Sequence, residues 1–369
     1  MLACILPLIL ITVSCSRRPK TENIIIDNLS PRCDLNGQII DAHGGCLQYF
    51  NGNFYLYGSR FGTNQDPTVP CPFSVYSSPN LRDWTDQGDL LQDAPKGVYY
   101  RPYVVFNPKT KKYVLWYNWY KTLWNGNAGV AVSDSPTGPF VIVNQRARLS
   151  GSCPGDGSLF VDDDGTGYYI YTDIDNDYAV RVERLTADFT DSTGKGSGYV
   201  GFGNEAPLLF RRNDLYYVLV ASLCAACPQG SEVAVETSPS PLGPFTFARE
   251  INHQSGHDPV QASSETAIEA DDAGATNGGE HPTGFVRERG KKNPFIHGQE
   301  TWVAQIPTAG GNPMYIWMAD GWFSAKDKEL GHDFQYWSAP LQFNTNGDGS
   351  IQPLKFTPRW MLVLKPKSN

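Results

Sequence analysis

The chain has 369 residues, 40% apolar and 18% charged, with a net charge of −8. That composition supports a large core and excludes wholesale disorder. It lacks the concentrated Lys and Arg that nucleic-acid binding requires, so no nucleic-acid partner is expected. The 19 Tyr, 18 Phe and 9 Trp read first as a β-rich core, and second as rings on which the C–H faces of sugars can stack.

In chain order, residues 2–15 (LACILPLILITVSC) come first and are almost wholly apolar. They are too few for a span of about 20 residues. The segment reads either as a signal h-region or as a short anchor, with Arg17, Arg18 and Lys20 after it. Ser14-Cys15 resembles a lipoprotein cleavage site, although Thr12 stands where Leu is usual. A secreted or N-terminally tethered protein is expected, with no other membrane partner. Residues 16–38 read as a loosely held arm. Six cysteines follow position 15, and an even number in an exported chain suggests disulfides. Cys224-Ala-Ala-Cys227 has no second pair or His at zinc-ligand spacing, and reads as a structural disulfide or two thiols.

Residues 39–369 carry repeats. Helical periodicity is almost absent, and short strands bounded by Gly, Pro, Asn and Asp dominate. Five strands resemble one another: Asn53-FYLYGS, Lys112-YVLWYN, Gly167-YYIYTD, Leu215-YYVLVAS and Pro313-MYIWMAD. Hairpin chemistry precedes four of them, as in Asn51-Gly52 and Asp164-Gly165. A later strand also recurs, in Val130-AVSDSPTGPF, Val233-AVETSPSPLGPF and, more loosely, Phe73-SVYSSPNLRDW. Units of about 50 residues holding several strands predict an all-β fold, a five-bladed β-propeller. Phe334-QYWSAPLQF and Ile351-QPLKFTPRWML would supply outer strands that close the ring. Residues 251–295, rich in Ser, Asp, Glu and Gly, read as a mobile insertion before blade five.

The register carries the functional signal. Twelve residues before Tyr55, Tyr113, Tyr168 and Tyr217 stand His43, Arg101, Asp156 and Glu205. Each begins the first strand of its blade, so four polar residues converge on one funnel. The matching strand of blade five holds Gln299-Glu300. A buried acid in a polar funnel is what protonating a glycosidic oxygen requires. Glu205 is the candidate acid. Asp156 would keep it protonated by like-charge repulsion, although Glu205 could instead pair with Arg101. Trp119, Tyr120, Trp124 and Trp322, the last following Asp320-Gly321, are either rim subsites or packing residues.

These residues resemble glycoside hydrolase family 43, in the branch that includes exo-β-1,3-galactanases. The pieces that match are Ala42-HGG, Arg101-Pro102, Asp156 before Leu159-FVDDDG, Glu205-AP, Gln299-ETWV and Tyr315-IWMADGW. The resemblance implies an inverting, exo-acting hydrolase of galactan-, arabinan- or xylan-type glycans. Glu205 would be its general acid, Asp156 the tuning carboxylate and Gln299 the group that handles water. His43, Tyr100, Arg101, Trp119, Asp320 and Trp322 would meet the sugar, and Asp41 is a further candidate base. No cofactor is implied beyond a possible structural calcium near His43, and the protein is expected to be a monomer. The chain departs from that branch at Tyr100-Arg101-Pro102-Tyr103, where the branch has Glu-Arg-Pro-Lys. A phenol thus replaces a carboxylate held to contact the sugar, which bears on specificity and turnover. The alternative is a catalytically silent propeller that binds glycans.

Overall fold

The computed structural model describes residues 22–62, 72–91, 94, 96–121, 126–253, 285–286, 294–308, 311–344 and 349–364. Five antiparallel sheets follow one another, each with its strands in sequence order. Blade one comprises Leu47–Phe50, Asn53–Ser59, Phe73–Ser78 and Thr85–Asp89, and blade two Val98–Asn107, Lys112–Tyr120, Gly126–Ser133 and Val141–Asn144. Blade three is built from Pro154–Val161, Gly167–Asp173, Ala179–Leu185 and Ser192–Gly196, and blade four from Asn204–Arg212, Leu215–Ser222, Val233–Ser238 and Thr246–Glu250. Blade five has three strands, Gln299–Ile306, Met314–Gly321 and Phe334–Trp337.

Sequence dictates these elements locally. Aromatic and β-branched runs favour strands, and a left-handed pair closes the first hairpin, Asn51 at φ 49° and Gly52 at φ 83°. Burial falls outward: Gly167–Asp173 in blade three is buried throughout, whereas Thr85–Asp89 at the outer edge of blade one is exposed throughout. Aromatic rings join neighbouring blades. Trp116 meets Tyr169 at 4.5 Å, Phe160 meets Tyr216 at 6.1 Å and Phe210 meets Tyr315 at 5.5 Å. Where blade five meets blade one, the Trp302 indole N–H donates to the Leu47 carbonyl at 3.0 Å.

Of the expected loose arm, Glu22–Asp27 is a strand. Glu22–Asp27 pairs antiparallel with Arg359–Leu364. Ile24, Ile26, Leu362 and Leu364 pack with Leu56 and Trp84 of blade one and Ile316 and Trp337 of blade five. The Asn28 amide then donates to the Trp337 and Thr357 carbonyls, each at 2.9 Å. Alternation explains the difference: in Ile24-Ile25-Ile26 only the outer two face inward, so the segment behaves as a half-buried strand. The Arg359–Leu364 segment, expected as an outer strand of the ring, closes this ribbon instead. Most of the predicted insertion lies outside the described residues, as do residues 1–21, Cys71 and Trp124; within it Phe285–Val286 pairs in parallel with Gly201–Phe202. Cys224 and Cys227 form a disulfide, Cys33 is exposed, and Cys46 and Cys153 are buried.

Leu362→Ala should therefore lower stability by about 2–5 kcal/mol. Ile25→Ala, at a position 70% exposed, should change it by less than about 0.5 kcal/mol. Denaturant melts of the two variants check the pair.

Candidate active site

In each inner strand the pairing slips by one residue at one level. Tyr100 faces Asn118 but Tyr103 faces Trp116; Pro154 faces Asp173 but Gly157 faces Tyr171. The same slip separates Glu205–Ala221 from Leu208–Leu219, and Glu300–Ala319 from Trp302–Met318. In blade one it falls between the His43–Ser59 bridge and the Leu47–Leu56 pair. Such bulges bend a strand and re-aim its side chains. Arg101 and Ala206 adopt φ of 54° and 52° there, a conformation non-glycine residues seldom take. Arg101 and Asp156 stand within these slips, His43 and Glu205 at their edges and Gln299 one residue before its own, all on the same end of the ring.

Arg101 is their hub. It is 3% exposed, and a buried guanidinium must be fully engaged. It donates to Asp156 Oδ2 at 2.7 Å and to the Glu300 carbonyl at 2.9 Å. Burial works against its charge, and Asp156 outweighs burial and holds it charged. Arg101 thus pairs with Asp156 rather than Glu205. Asp156 brings a compensated charge to the site, which weakens the expected like-charge repulsion on Glu205. Two residues along each strand, cross-ring bonds fix the same level. The Tyr103 hydroxyl donates to the Thr301 carbonyl at 2.5 Å, and the Ser158 hydroxyl to the Pro207 carbonyl at 2.9 Å.

Gln299 is held at both ends of its amide. Its Nε2 donates to Asp156 Oδ2 at 3.2 Å, and its Oε1 accepts from the Trp322 indole at 2.7 Å. Those partners fix which end is nitrogen. Trp322 itself packs on His43 and Phe61, each at 5.5 Å between ring centres. Asp333 anchors its loop by accepting from the Phe323 and Ala325 amides. Trp322, expected as a rim residue, also orients Gln299. Glu300 is buried and accepts from the Trp317 indole at 3.2 Å, turned into its own blade.

His43 and Asp320, expected against sugar, are instead buried at 0% and 3% exposure and face each other at 3.4 Å. Asp320 also accepts from the Gly44 amide at 2.6 Å. His43 Nε2 lies 3.3 Å from the Gly331 carbonyl and 3.8 Å from Asp41. Burial pushes the imidazole toward neutrality, but Asp320, then Asp41 and the Gly331 carbonyl, outweigh it and raise its pKa to about 9. Asp41 accepts from the Phe61 and Gly62 amides, lies outside any strand, and is spent on that turn. Two buried carboxylates, Asp320 and Asp41, thus flank the His43 ring at 3.4 and 3.8 Å. Among the described residues no group of three or more His, Cys, Asp or Glu is arranged to hold a metal.

Glu205 accepts a hydrogen bond on Oε1 from the Ala225 amide, and Ala225 packs with Ala206 and Ala221, the residues next to and paired with Glu205. Half-buried Tyr100 sits edge-on to Tyr120 at 5.8 Å. Tyr120 is buried, and burial followed by the Asp156 charge pushes its phenol well above the usual range. Trp119 is not brought to this cluster. It stacks on Tyr99, which meets Phe73 of blade one. The Ala225 and Trp322 contacts were not foreseen: a backbone donor carries no side-chain signal, and an indole before a loop reads equally as a stacking platform.

Carboxyl, amide and guanidinium groups gathered at one end of a five-bladed ring are what a propeller of the carbohydrate-active class requires. Within that class, residues 46–323 match the glycosyl hydrolases family 43, and the chain belongs to that family. It is 27% identical over 266 residues to an arabinoxylan arabinofuranohydrolase of Bacillus subtilis (strain 168), covering 57% of this chain and 50% of that protein. It therefore spans half the length of that curated relative. Its fold is similar to an exo-β-1,3-galactanase from Clostridium thermocellum, with a TM-score of 0.70 and 22% identity, over 91% of this chain and 66% of the other. It is also similar to the exo-β-1,3-galactanase of Phanerochaete chrysosporium, with a TM-score of 0.67 and 22% identity, over 92% and 68%.

Two outcomes follow. His43 is raised above its unfolded value near 6.5, so its stabilising contribution is complete below that pH. It is lost as pH rises through about 9. The stability gap between wild type and His43→Gln should narrow over that window in urea melts. Trp322→Phe keeps the ring but removes the donor to Gln299. It should lower kcat by roughly tenfold with KM little changed, measured in steady-state kinetics on the glycan the protein cleaves.

Proposed function

We propose that this chain is an inverting glycoside hydrolase that removes sugar units from the ends of a β-1,3-galactan-type glycan, acting as a monomer outside the cell or tethered there. The observation that carries the reading is the grouping of an amide-held Glu205 with the Asp156–Gln299 hydrogen bond at one level of the ring. The family supports hydrolysis of a glycosidic bond. The likeness in fold to two exo-β-1,3-galactanases supports the galactan end, and the apolar segment 2–15 supports export.

In this mechanism Ala225 N–H can only donate, so Glu205 Oε1 is the acceptor oxygen and Oε2 carries the acid proton. Oε2–H protonates the glycosidic oxygen as the C1–O bond breaks. Water adds to the opposite face of C1 and loses a proton to Gln299 Oε1, whose second lone pair is not taken by Trp322. Gln299 Oε1 hands that proton on to solvent, while its Nε2 keeps its hydrogen bond to Asp156 Oδ2 and Asp156 stays a carboxylate on Arg101. A proton from solvent then restores Glu205. Arg101 keeps Asp156 in place throughout. Tyr100 offers a phenol to the sugar, which supports a substrate requirement different from that of a site with a carboxylate there.

The test is a hydrolysis screen of β-1,3-galactan, arabinan, xylan and arabinoxylan oligosaccharides, with anomers read by proton NMR. The expected result is monosaccharide of inverted configuration from β-1,3-galactan, reduced by about 10²–10⁴-fold in Glu205→Gln. Arabinose release alone would move the substrate class. Saturable binding in both proteins with no product from any glycan would replace the hydrolase by a glycan-binding propeller.

A further inference from the structure

The segment between the second and third strands of blade four, residues 223–232, touches both sides of the site. At its start Ala225, 0% exposed, donates its amide to Glu205 and packs its methyl on Ala206 and Ala221. At its end Ser231 donates to the Gly298 carbonyl from its amide at 3.1 Å and from its hydroxyl at 3.0 Å, one residue before Gln299. Gly230 approaches Gly298 so closely that an added Cβ would lie 2.2 Å from the Gly298 nitrogen. Between these anchors the Cys224–Cys227 disulfide closes the turn, with the Cys227 amide on the Cys224 carbonyl at 3.2 Å and the Gly230 amide on the Cys227 carbonyl at 2.8 Å.

We propose that the Cys224–Cys227 disulfide is a redox-sensitive clamp that holds the Ala225 amide on Glu205, so that reducing it releases the acid from its productive position. The inference rests on the hydrolase reading for its kinetic consequence, but the clamp itself is a statement about Glu205. Reduction consumes two electrons and two protons from an external dithiol, which becomes its own disulfide, and leaves Cys224 and Cys227 as thiols. The six-atom link through the two sulfurs is then gone from the turn that carries the buried Ala225 amide. A backbone N–H stabilises the charged form of a carboxylate, so its release should shift the Glu205 titration upward. Because the acid must be protonated to act, the alkaline limb of activity should move to higher pH while kcat falls.

The experiment treats folded wild type with dithiothreitol and confirms two new thiols by alkylation and mass shift. Two readouts follow. The first is the Glu205 carboxyl resonance in ¹³C-glutamate-labelled protein, assigned by its absence in Glu205→Gln and titrated in both redox states. The second is the pH profile of kcat and KM. Expected are a midpoint about one pH unit higher on reduction and a roughly tenfold loss of kcat with KM little changed. Cys224→Ser/Cys227→Ser should match the reduced enzyme and ignore the reductant, while Cys33→Ser should behave as wild type. Reduction confirmed by mass with an unmoved Glu205 titration would overturn the clamp. A moved titration in a protein that cleaves no glycan would keep the clamp and remove the hydrolase.

Discussion

A buried guanidinium admits few arrangements around it. Arg101 draws its charge balance from blade three, through Asp156, and a carbonyl from blade five, at Glu300. Once those two are fixed, Gln299 is one residue from a pinned carbonyl, and its amide falls onto the oxygen Arg101 already holds. The remaining donor, Trp322, turns the amide the one way that leaves its oxygen able to meet water. A charge that must be satisfied inside the ring thus orders three blades at once. Removing either partner would leave an uncompensated ion, which is why such pairs specify geometry more than they add net stability.

The bulges explain how five unlike sequences deliver side chains to one level. A regular strand alternates its side chains between the two blade faces, and a one-residue slip turns a residue out of that alternation toward the axis. In blades one to four the polar residue stands twelve residues before the hairpin tyrosine, within or beside the slip, whereas in blade five Gln299 precedes Tyr315 by sixteen. The twelve-residue interval was legible in the sequence, even though the bulge itself was not.

What the sequence hid is of a different kind. Arg101 had two carboxylates within plausible reach, and choosing Asp156 over Glu205 needs the backbone at φ 54° that only the folded bulge supplies. His43 and Asp320 share the polar character of sugar contacts, yet both are buried and face each other at 3.4 Å. Trp119 belongs to the face its alternation with Tyr120 dictates, and that face is toward blade one. The arm failed as an expectation because its partner strand lies more than 330 residues away, beyond any local pattern. Conversely the blades and the hairpins were legible because each rests on short-range periodicity.

The ribbon of Glu22–Asp27 with Arg359–Leu364 has a mechanical meaning. Glu22 pairs with Leu364 and Asp27 with Arg359, so the chain enters and leaves the ring at the same end of the ribbon. Tension applied across residues 22 and 364 loads the Glu22–Leu364 pair first and opens the remaining pairs in succession, like a zipper, instead of shearing all six together. The blades lie downstream of that opening. A pull on both ends would therefore undo the fastener between blades one and five before it reached the bulged strands that carry Arg101, Asp156 and Glu205.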